Sequence, residues 1–582
     1  MKSNSKKLLI LIVIALGFVF LSNIKLDFGH GQKSNIVNPK ASGGYSETFI
    51  HIDGSIANNW SWTAGNESWC YGEGTWENPY IIENVTVNCG GTGSGILIEN
   101  SDTDYFIIRN CTVYNSGSGL GSAGINLDNT NNGVLTTNNC SNNNAGGIIL
   151  FNDCDNNTIS GNTANNNSAG IYLYEGSNIT ISGNTANYNI DGIYIEISND
   201  NIISGNTANG NSQNGIYLYF CDYNNITGNT IDNNYDGIYL DVDCDNNIIW
   251  GNNATDNVNG IVLDDSNNNT LLGNSACNNN NNGIYLSNTC TNITISGNIA
   301  NDNEVGMYIY NCHYNIITGN TANDNVDREG IVLDGSNDNI ISGNTIDGNE
   351  VGMFIYDALN NTIISNTISS NNVSGIHIDE DSDYNEFTEN FFLNNGQHAF
   401  DDGTDNKWNS TTIGNYWDNH TGPDTSPRDG IVDDPYTHIG GPAGAIDYLP
   451  IAEDGAPSIT INSPASGGVF YSTAPSFNVT ITDDHLDKMW YTIDGGLNKY
   501  TFTNNGTIDQ SAWDALSLGS ITINFYANDT FGYEASEDVI ITKSIPSDGD
   551  DPTIVIVIVA VSVVGGVAVI AVAYLFLKKR KA

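Results

Sequence analysis

The chain has 582 residues, enough for several domains, and a formal net charge of −49 from 66 acidic and 17 basic residues. Six of the basic residues lie before position 41 and four more lie at 578–581, so the long middle of the chain is almost without positive charge. Nucleic acid is therefore excluded as a partner, because its recognition needs clustered Lys and Arg side chains that neutralise phosphates.

Residues 1–28 have the pattern of an export signal. Three lysines by position 7 precede an uncharged apolar run at 8–21, which is the order of a signal peptide. No clear small-residue cleavage site follows this run, so a cleaved signal peptide and an uncleaved signal anchor both stay open. Residues 29–45 are predicted to be a spacer. About nineteen Asn-x-Ser/Thr sequons agree with an exported glycoprotein.

Residues 46–80 are dense in aromatic side chains, including Trp60, Trp62, Trp69 and Trp76. This segment comes directly before a long series of repeats. Repeat proteins need a terminal cap that covers their first exposed unit, and we predict that this segment is the N-terminal cap.

A repeat of 22–24 residues runs through 81–400, and its marker is an asparagine that usually follows a glycine, as at Asn162, Asn184 and Asn206. Short alternating apolar runs separated by Asn, Gly, Asp and Ser predict strands and turns without helices. Asn suits such turns because it tolerates the left-handed conformation, and stacked Asn amides can bond to one another. The repeats predict an all-β protein with a parallel β-helix of about 13 coils, spaced ~4.8 Å apart.

Each coil also contains Gly-Ile-x-Leu, whose Ile and Leu are predicted to face the interior. The residue two places after this Gly forms a tyrosine row, and the residue four places after it forms an acid row. The candidate glycan-binding residues in the two rows are Tyr172, Tyr194, Tyr217, Tyr239, Tyr285, Tyr308, Glu196, Asp241 and Asp264. Rings at coil spacing could stack on successive sugars while the acids bind hydroxyls. The alternative is that the rings only stabilise the sheet.

Cysteines recur at one position of the coil. Cys221 and Cys244 hold the same place on adjacent coils, as do Cys290 and Cys312. A separation of ~4.8 Å is within the range of a disulfide, so these two pairs are disulfide candidates. The alternative is that they are small side chains that fill the interior beside a turn.

The segment 401–452 differs from the repeats. It contains Asn415-Tyr416-Trp417 and, further on, Asp429-Gly430-Ile431-Val432-Asp433 followed by Pro435-Tyr436. Together with the preceding coils, this segment resembles the periplasmic copper-binding NosD-like family of right-handed β-helices, within a wider group of carbohydrate-binding and sugar-hydrolase β-helices. The resemblance implies a right-handed solenoid and makes 401–452 its C-terminal cap.

The family resemblance also implies metal sites. The tails of the family carry an acidic loop that looks like a Ca²⁺ site, which makes Asp424, Asp429 and Asp433 the Ca²⁺ candidates here. The family name implies copper, which prefers His, Met or Cys ligands. The eight His and four Met of this chain are scattered, so copper is not expected. No other cofactor is implied.

The C-terminal part contains a second domain and an anchor. Residues 456–543 have about seven short strand-like runs, which is typical of an immunoglobulin-like β-sandwich, and 544–552 is a Pro/Asp linker. Residues 553–577 are apolar and long enough for a transmembrane helix. The basic residues of 578–582 predict a cytoplasmic tail, and thus a single-pass cell-surface protein with its body outside.

These features favour a non-catalytic surface protein that binds an extracellular polysaccharide or neighbouring surface proteins through the two rows. The first alternative is a β-helix polysaccharide lyase or hydrolase, although the coils offer only Arg109 and Arg328 as basic residues. The second alternative is copper handling, which rests on the family resemblance alone.

Overall fold

The architecture comes from a computed structural model of the chain. Side chains and backbone are described for 44–57, 59–325, 328–420, 422–424, 430–452, 457–483, 486–493, 495–529 and 534–545, and backbone alone for 555–564 and 567–576. The predicted signal segment, most of the spacer, most of the linker and the cytoplasmic tail lie outside these residues. The chain divides into two compact units, Met1–Glu453 and Asp454–Ala582.

Over the described residues, the first unit is a right-handed parallel β-solenoid built on two sheets of 15 strands each. The strands of sheet I are Ile50–Asp53, Ile96–Ser101, Ala123–Thr130, Gly146–Phe151, Ala169–Tyr174, Asp191–Glu196, Asn214–Tyr219, Asp236–Asp241, Asn259–Asp264, Asn282–Ser287, Val305–Tyr310, Glu329–Asp334, Val351–Tyr356, Ser374–Ile378 and Ala399–Asp401. The strands of sheet II are Cys70–Tyr71, Tyr80–Glu83, Phe106–Arg109, Gly133–Thr136, Thr158–Ser160, Thr180–Ser182, Ile202–Ser204, Asn225–Thr227, Ile248–Trp250, Thr270–Leu272, Thr294–Ser296, Ile316–Thr318, Ile340–Ser342, Thr362–Ile364 and Glu386–Thr388.

A third, discontinuous sheet completes the coils. Its strands are Tyr45–Glu47, Val85–Asn88, Thr112–Tyr114, Thr230–Asp232, Asn253–Thr255, Thr345–Asp347, Thr367–Ser369, Phe391–Leu393 and Tyr416–Trp417. Single parallel bridges such as Thr163 to Thr185 connect the coils between these pieces.

The solenoid has about 15 turns. The prediction of about 13 was too low because strands of sheet I lie before the first marker asparagine and beyond the last, at Ile50–Asp53 and Ala399–Asp401.

The marker asparagines form a buried ladder along the solenoid. Asn206 is typical: its Nδ2 donates to Oδ1 of Asn229 at 3.0 Å and to the carbonyl of Ile181 at 2.9 Å. The predicted stacking of amides is therefore confirmed for this position. The predicted left-handed conformation is found at other turn asparagines, such as Asn166 with φ of 57° and Asn233 with φ of 60°. Beside the marker asparagine it belongs to the preceding glycine, since Gly205 has φ of 60°. A glycine adopts this conformation at no steric cost, which leaves the asparagine free to bond inside the coil.

Different contacts are made at the two ends of the solenoid. The helix Asn59–Asn66 places Trp60 against Tyr80, with parallel rings 4.9 Å apart. At the other end, Asn390 donates to Asn415 at 2.9 Å, so the tail residue Asn415 continues the ladder. The buried carboxylate of Asp447 accepts from the backbone N–H of Asn415 at 2.8 Å and thereby ends it.

The described part of the second unit has one short helix, Gln510–Ala515, and nine strands, of which the first seven form two sheets. The two-stranded sheet pairs Ser458–Ser463 with Asn478–Thr482. The five-stranded sheet contains Val469–Phe470, Glu534–Lys543, Gly519–Asp529, Leu486–Thr492 and Tyr500–Thr501. Trp513 and Phe525 lie in its core. The immunoglobulin-like assignment stays a prediction.

The helix predicted over 553–577 is not found. Val555–Val564 and Val567–Phe576 pair as antiparallel strands. The sequence reason is the density of Val and Ile, which favour strands, on either side of Gly565 and Gly566. Within the part of the chain that the structure describes, no helix has the length and apolar character needed to cross a membrane.

Candidate functional site

The outward surface of sheet I carries both rows of candidate residues. In each coil the Ile and Leu of the repeat point inward, and Ile193 and Ile195 are fully buried. Tyr194 lies between them in the strand and therefore points outward. Equivalent residues of adjacent coils are in register, for example Tyr194 with Tyr217. The predicted direction of the side chains is confirmed, and the rows run along the solenoid axis.

The tyrosine rings stack on one another. Tyr172 and Tyr194 have ring centroids 4.4 Å apart, and the next two steps, to Tyr217 and Tyr239, are 5.6 and 5.4 Å. As a result, Tyr194 and Tyr217 are only 8% and 4% exposed. The inner rings Tyr194 and Tyr217 thus do not expose their faces to solvent, because each face is covered by the ring of an adjacent coil. Stacking of sugars on the tyrosine row stays a prediction.

The acid row is bonded to the tyrosine row. Glu196 accepts hydrogen bonds from the hydroxyl of Tyr172, at 2.7 Å, and from that of Tyr194. Asp241 accepts from Tyr217 at 3.1 Å. Burial raises the pKa of Tyr194 and Tyr217, so both phenols stay protonated and donate. In these coils Glu196 and Asp241 therefore accept hydrogen bonds from tyrosine hydroxyls. Binding of a glycan by the acid row stays a prediction.

The tyrosine row has two breaks, at Val262 and Val332. At the first break, Asp264 is engaged by Ser287 Oγ at 3.1 Å and by Asn288 Nδ2 at 2.6 Å. The second break is open. A cavity of about 450 Å³ lies over Val332, and its lining includes Tyr308, Phe354 and Tyr356.

The geometry over Val332 leaves ring surface uncovered. Tyr308 stacks on Tyr285 at 5.4 Å on one side, and Val332 is its strand neighbour on the other. Val332 in turn pairs with Phe354. Tyr308 and Phe354 are thus two coils apart, roughly 9.6 Å at the usual strand spacing. Aromatic stacking partners lie ~4.5–7 Å apart, so a ring midway between them would be within stacking distance of both.

Charged side chains surround this cavity. Arg328 pairs with Glu304 through its Nε at 2.7 Å, and Asp334 accepts from the hydroxyl of Tyr308 at 2.5 Å. Burial raises the pKa of Glu329, and the adjacent Arg328 partly offsets this effect. The cavity therefore combines aromatic surface with three carboxylates and one guanidinium group.

Glu329 begins its sheet I strand, and the same position is acidic in two other coils. Asp191 accepts from the amide of Asn214 at 2.9 Å, and Asp236 accepts from that of Asn259 at 2.8 Å. Burial raises the pKa of each Asp to about 6, and these hydrogen bonds lower it in part. The repeated position thus holds buried carboxylates that depend on a donor from the next coil.

The cysteine candidates lie at the buried position where each coil leaves sheet I. All four are free thiols in the structure. The thiol of Cys221 donates to the carbonyl of Tyr219 at 3.1 Å, as the hydroxyl of Ser198 donates to that of Glu196 at 2.7 Å. Cys and Ser thus make the same contact on adjacent coils, which agrees with the interior-filling alternative. The Cys221–Cys244 and Cys290–Cys312 disulfides stay a prediction.

The calcium candidates are only partly described. Asp424 accepts from the backbone N–H of Gly430 at 3.0 Å, and Asp433 lies on the exposed surface. Asp429 lies outside the described residues. Calcium binding at these three residues stays a prediction.

The family model of the periplasmic copper-binding protein (NosD) matches residues 121–285 and 276–422, together just over half of the chain. The chain belongs to the NosD family. The matched residues include the tyrosine row, the Val332 cavity and the Tyr416–Trp417 strand. No curated protein matches the sequence significantly.

Several solved structures are similar to this NosD-family chain at low sequence identity. The Azotobacter vinelandii mannuronan C-5 epimerase AlgE6 A-module is 14% identical, with 57% of this chain and 88% of that chain covered and a TM-score of 0.32. The surface adhesin PfbA of Streptococcus pneumoniae is also 14% identical, with 63% and 93% covered and a TM-score of 0.27. The tailspike protein gp49 from Pseudomonas phage LKA1 is 11% identical, with 79% and 66% covered and a TM-score of 0.28.

The NosD name raises the question of copper. Copper sites need converging His, Met or Cys side chains. Among the described residues, no group of three or more His, Cys, Asp or Glu side chains is arranged to hold a metal ion. Burial also raises the pKa of Cys221 and Cys244, which keeps them as thiols. The described residues do not fit a copper ion.

Sequence reasoning missed the cavity. The sequence places Val332 and Phe354 in the tyrosine row and Tyr356 in the acid row. It also shows that Arg328 is one of only two basic residues in the coils. The signal was the break itself, because a Val among Tyr and Phe residues removes a ring from an otherwise continuous stack. Glu329 was not identified because its environment depends on both adjacent coils.

Proposed function

We propose that the protein binds a polysaccharide chain at the Val332 cavity, on the outward surface of the solenoid. One observation carries this proposal: the stack of rings is interrupted over Val332, and the interruption is an open cavity lined by Tyr308 and Phe354. Sugar rings present apolar faces that pack on aromatic side chains, and a few convergent polar groups fix their orientation. Asp334 and Arg328 provide such groups here.

The experiment fills the cavity without disturbing the coil. Val332→Tyr restores the residue that most coils have at this position, so the stack becomes continuous. Val262→Tyr makes the same change at the other break and is the matched control. The purified full-length chain and both variants would be measured on an array of microbial polysaccharides, with circular dichroism to check folding.

The proposal predicts that wild type binds at least one polysaccharide, that Val332→Tyr weakens this binding at least tenfold, and that Val262→Tyr leaves it unchanged. Equal binding by wild type and Val332→Tyr would place the site elsewhere. Absence of binding across the array would overturn the proposed function.

Cleavage of the bound polysaccharide is a second candidate function, and it is supported by the presence of Arg328 and Tyr308 in one cavity. A lyase needs a base and a proton donor near the same sugar. Incubation with uronate polymers would then produce unsaturated ends with ultraviolet absorbance, and Arg328→Ala would abolish them. Unchanged absorbance with the wild-type chain would exclude this activity on those polymers.

We propose that the solenoid is displayed on the cell surface, as the apolar segment and the basic tail after it suggest. Protease treatment of intact cells should release nearly the whole chain by cleavage within 544–552. Protection of the solenoid from protease would contradict this orientation.

A further inference from the structure

The position of Glu329 distinguishes its carboxylate from the other acids at the start of sheet I strands. Asp191 and Asp236 each receive a hydrogen bond from an asparagine on the following coil. Glu329 instead has Val351 as its strand partner on the following coil and Val305 at the same position on the preceding coil. Neither valine side chain can donate a hydrogen bond. Glu329 accepts a hydrogen bond from its own backbone N–H, but among the described residues its carboxylate lacks the asparagine donor on the following coil that its counterparts have.

The other charges of the cavity do not supply that donor. The guanidinium group of Arg328 is held by Glu304 at 2.7 Å and its side chain is 60% exposed. Asp334 is engaged by the hydroxyl of Tyr308. With three carboxylates and one guanidinium group, the lining favours a cation, and the −49 charge of the chain adds to this preference.

The aromatic walls favour the same kind of ligand. The face of an aromatic ring carries negative charge density and attracts an ammonium group within ~6 Å of its centre. Tyr308 and Phe354 are the strand neighbours of Val332 on either side, and both rings line the cavity. A carboxylate beside ring surface is a suitable environment for an organic ammonium group, whereas a uronate would meet like charge.

We infer that the polysaccharide bound at the Val332 cavity is built from amino sugars with free, protonated amino groups, and that Glu329 binds one ammonium group between the faces of Tyr308 and Phe354. This inference rests on the proposed function and specifies its ligand class. An N-acetylated sugar of the same size lacks the charge, and a uronic acid polymer has the opposite charge.

The test compares four probes of equal length on the full-length chain by titration calorimetry: oligomers of glucosamine, of N-acetylglucosamine and of a uronic acid, and an oligolysine. We expect the glucosamine oligomer to bind at least tenfold more tightly than the other three. The oligolysine probe is required because any polycation is attracted to a chain of this net charge.

Two variants test whether Glu329 is the residue that binds the ammonium group. Glu329→Gln keeps the shape of the side chain, and Glu329→Val copies the residue that the adjacent coils have at this position. Both should reduce glucosamine binding to the level of the acetylated oligomer, whereas exposed Asp302→Asn should not. Preference for the acetylated or uronate oligomer, equal oligolysine binding, or no effect of either Glu329 variant would overturn the inference. Tight uronate binding that Val332→Tyr removes would overturn the inference and retain the proposed function.

Discussion

Replacing the buried carboxylates of sheet I should stabilise the solenoid at neutral pH. Asp191 and Asp236 lie at the position that is occupied by Asn214 and Asn259 on the following coils. Asp191→Asn and Asp236→Asn therefore introduce a residue that this position already accommodates. Each new amide keeps an Oδ1 that can accept from the neighbouring Asn, as the carboxylate does at 2.9 and 2.8 Å.

The magnitude follows from the pKa shifts. The pKa of each Asp is raised from 3.8 to about 6, with burial as the main cause. The folded state therefore binds more protons than the unfolded state between these two values, and stability falls as the pH rises through this window. A shift of this size corresponds to about 3 kcal/mol for each carboxylate above pH 6. Below the pKa of the unfolded state the carboxyl group is protonated in both states, and this loss of stability disappears.

Urea denaturation followed by circular dichroism would measure this effect on the full-length chain. Each Asn variant should be more stable than wild type at pH 7, by up to about 3 kcal/mol, and equal to wild type at pH 3. Exposed Asp302→Asn is the control and should change neither value. A variant that is less stable than wild type at pH 7, or equally shifted at both pH values, would refute the reasoning.

Three further predictions concern the stack, the ladder and the thiols. Tyr217→Thr should cost about 3–5 kcal/mol of stability, as for other buried aromatic residues, and leave glycan binding unchanged. Lost glycan binding with unchanged stability would instead support the prediction that the tyrosine row stacks on sugars. Asn206→Ala should cost about 1–3 kcal/mol for each partner left unsatisfied, measured by urea denaturation, and a neutral effect would contradict the ladder's role. Non-reducing mass spectrometry should recover Cys221 and Cys244 as free thiols if they fill the interior, whereas a linked peptide would establish the disulfide.

The solenoid could be predicted from the sequence because every coil repeats the same requirements. Asn206 and its equivalents recur at a fixed spacing since each must bond to the same atoms on the next coil. Strand alternation correctly predicted that Ile193 points inward and Tyr194 outward. The same residue pattern can be recognised in one coil, and its recurrence in the other coils supports the prediction.

The burial of the rows could not be predicted in the same way. Tyr194 and Tyr217 point outward and are nevertheless buried, because their rings, with centroids 5.6 Å apart, cover each other's faces. Whether an outward side chain is accessible thus depends on the residues of adjacent coils. The cavity occurs at Val332, one of the two positions where the tyrosine row is interrupted, and a search for repeated residues passes over such a position.

The most direct measurement of the central claim is the position of a bound sugar. A crystal structure of the protein with a glucosamine oligomer should show a sugar ring over Val332, between Tyr308 and Phe354, with its amino group at hydrogen-bond distance from Glu329. Sugar density on the continuous tyrosine stack around Tyr194, or on sheet II, with the Val332 cavity empty, would contradict the account.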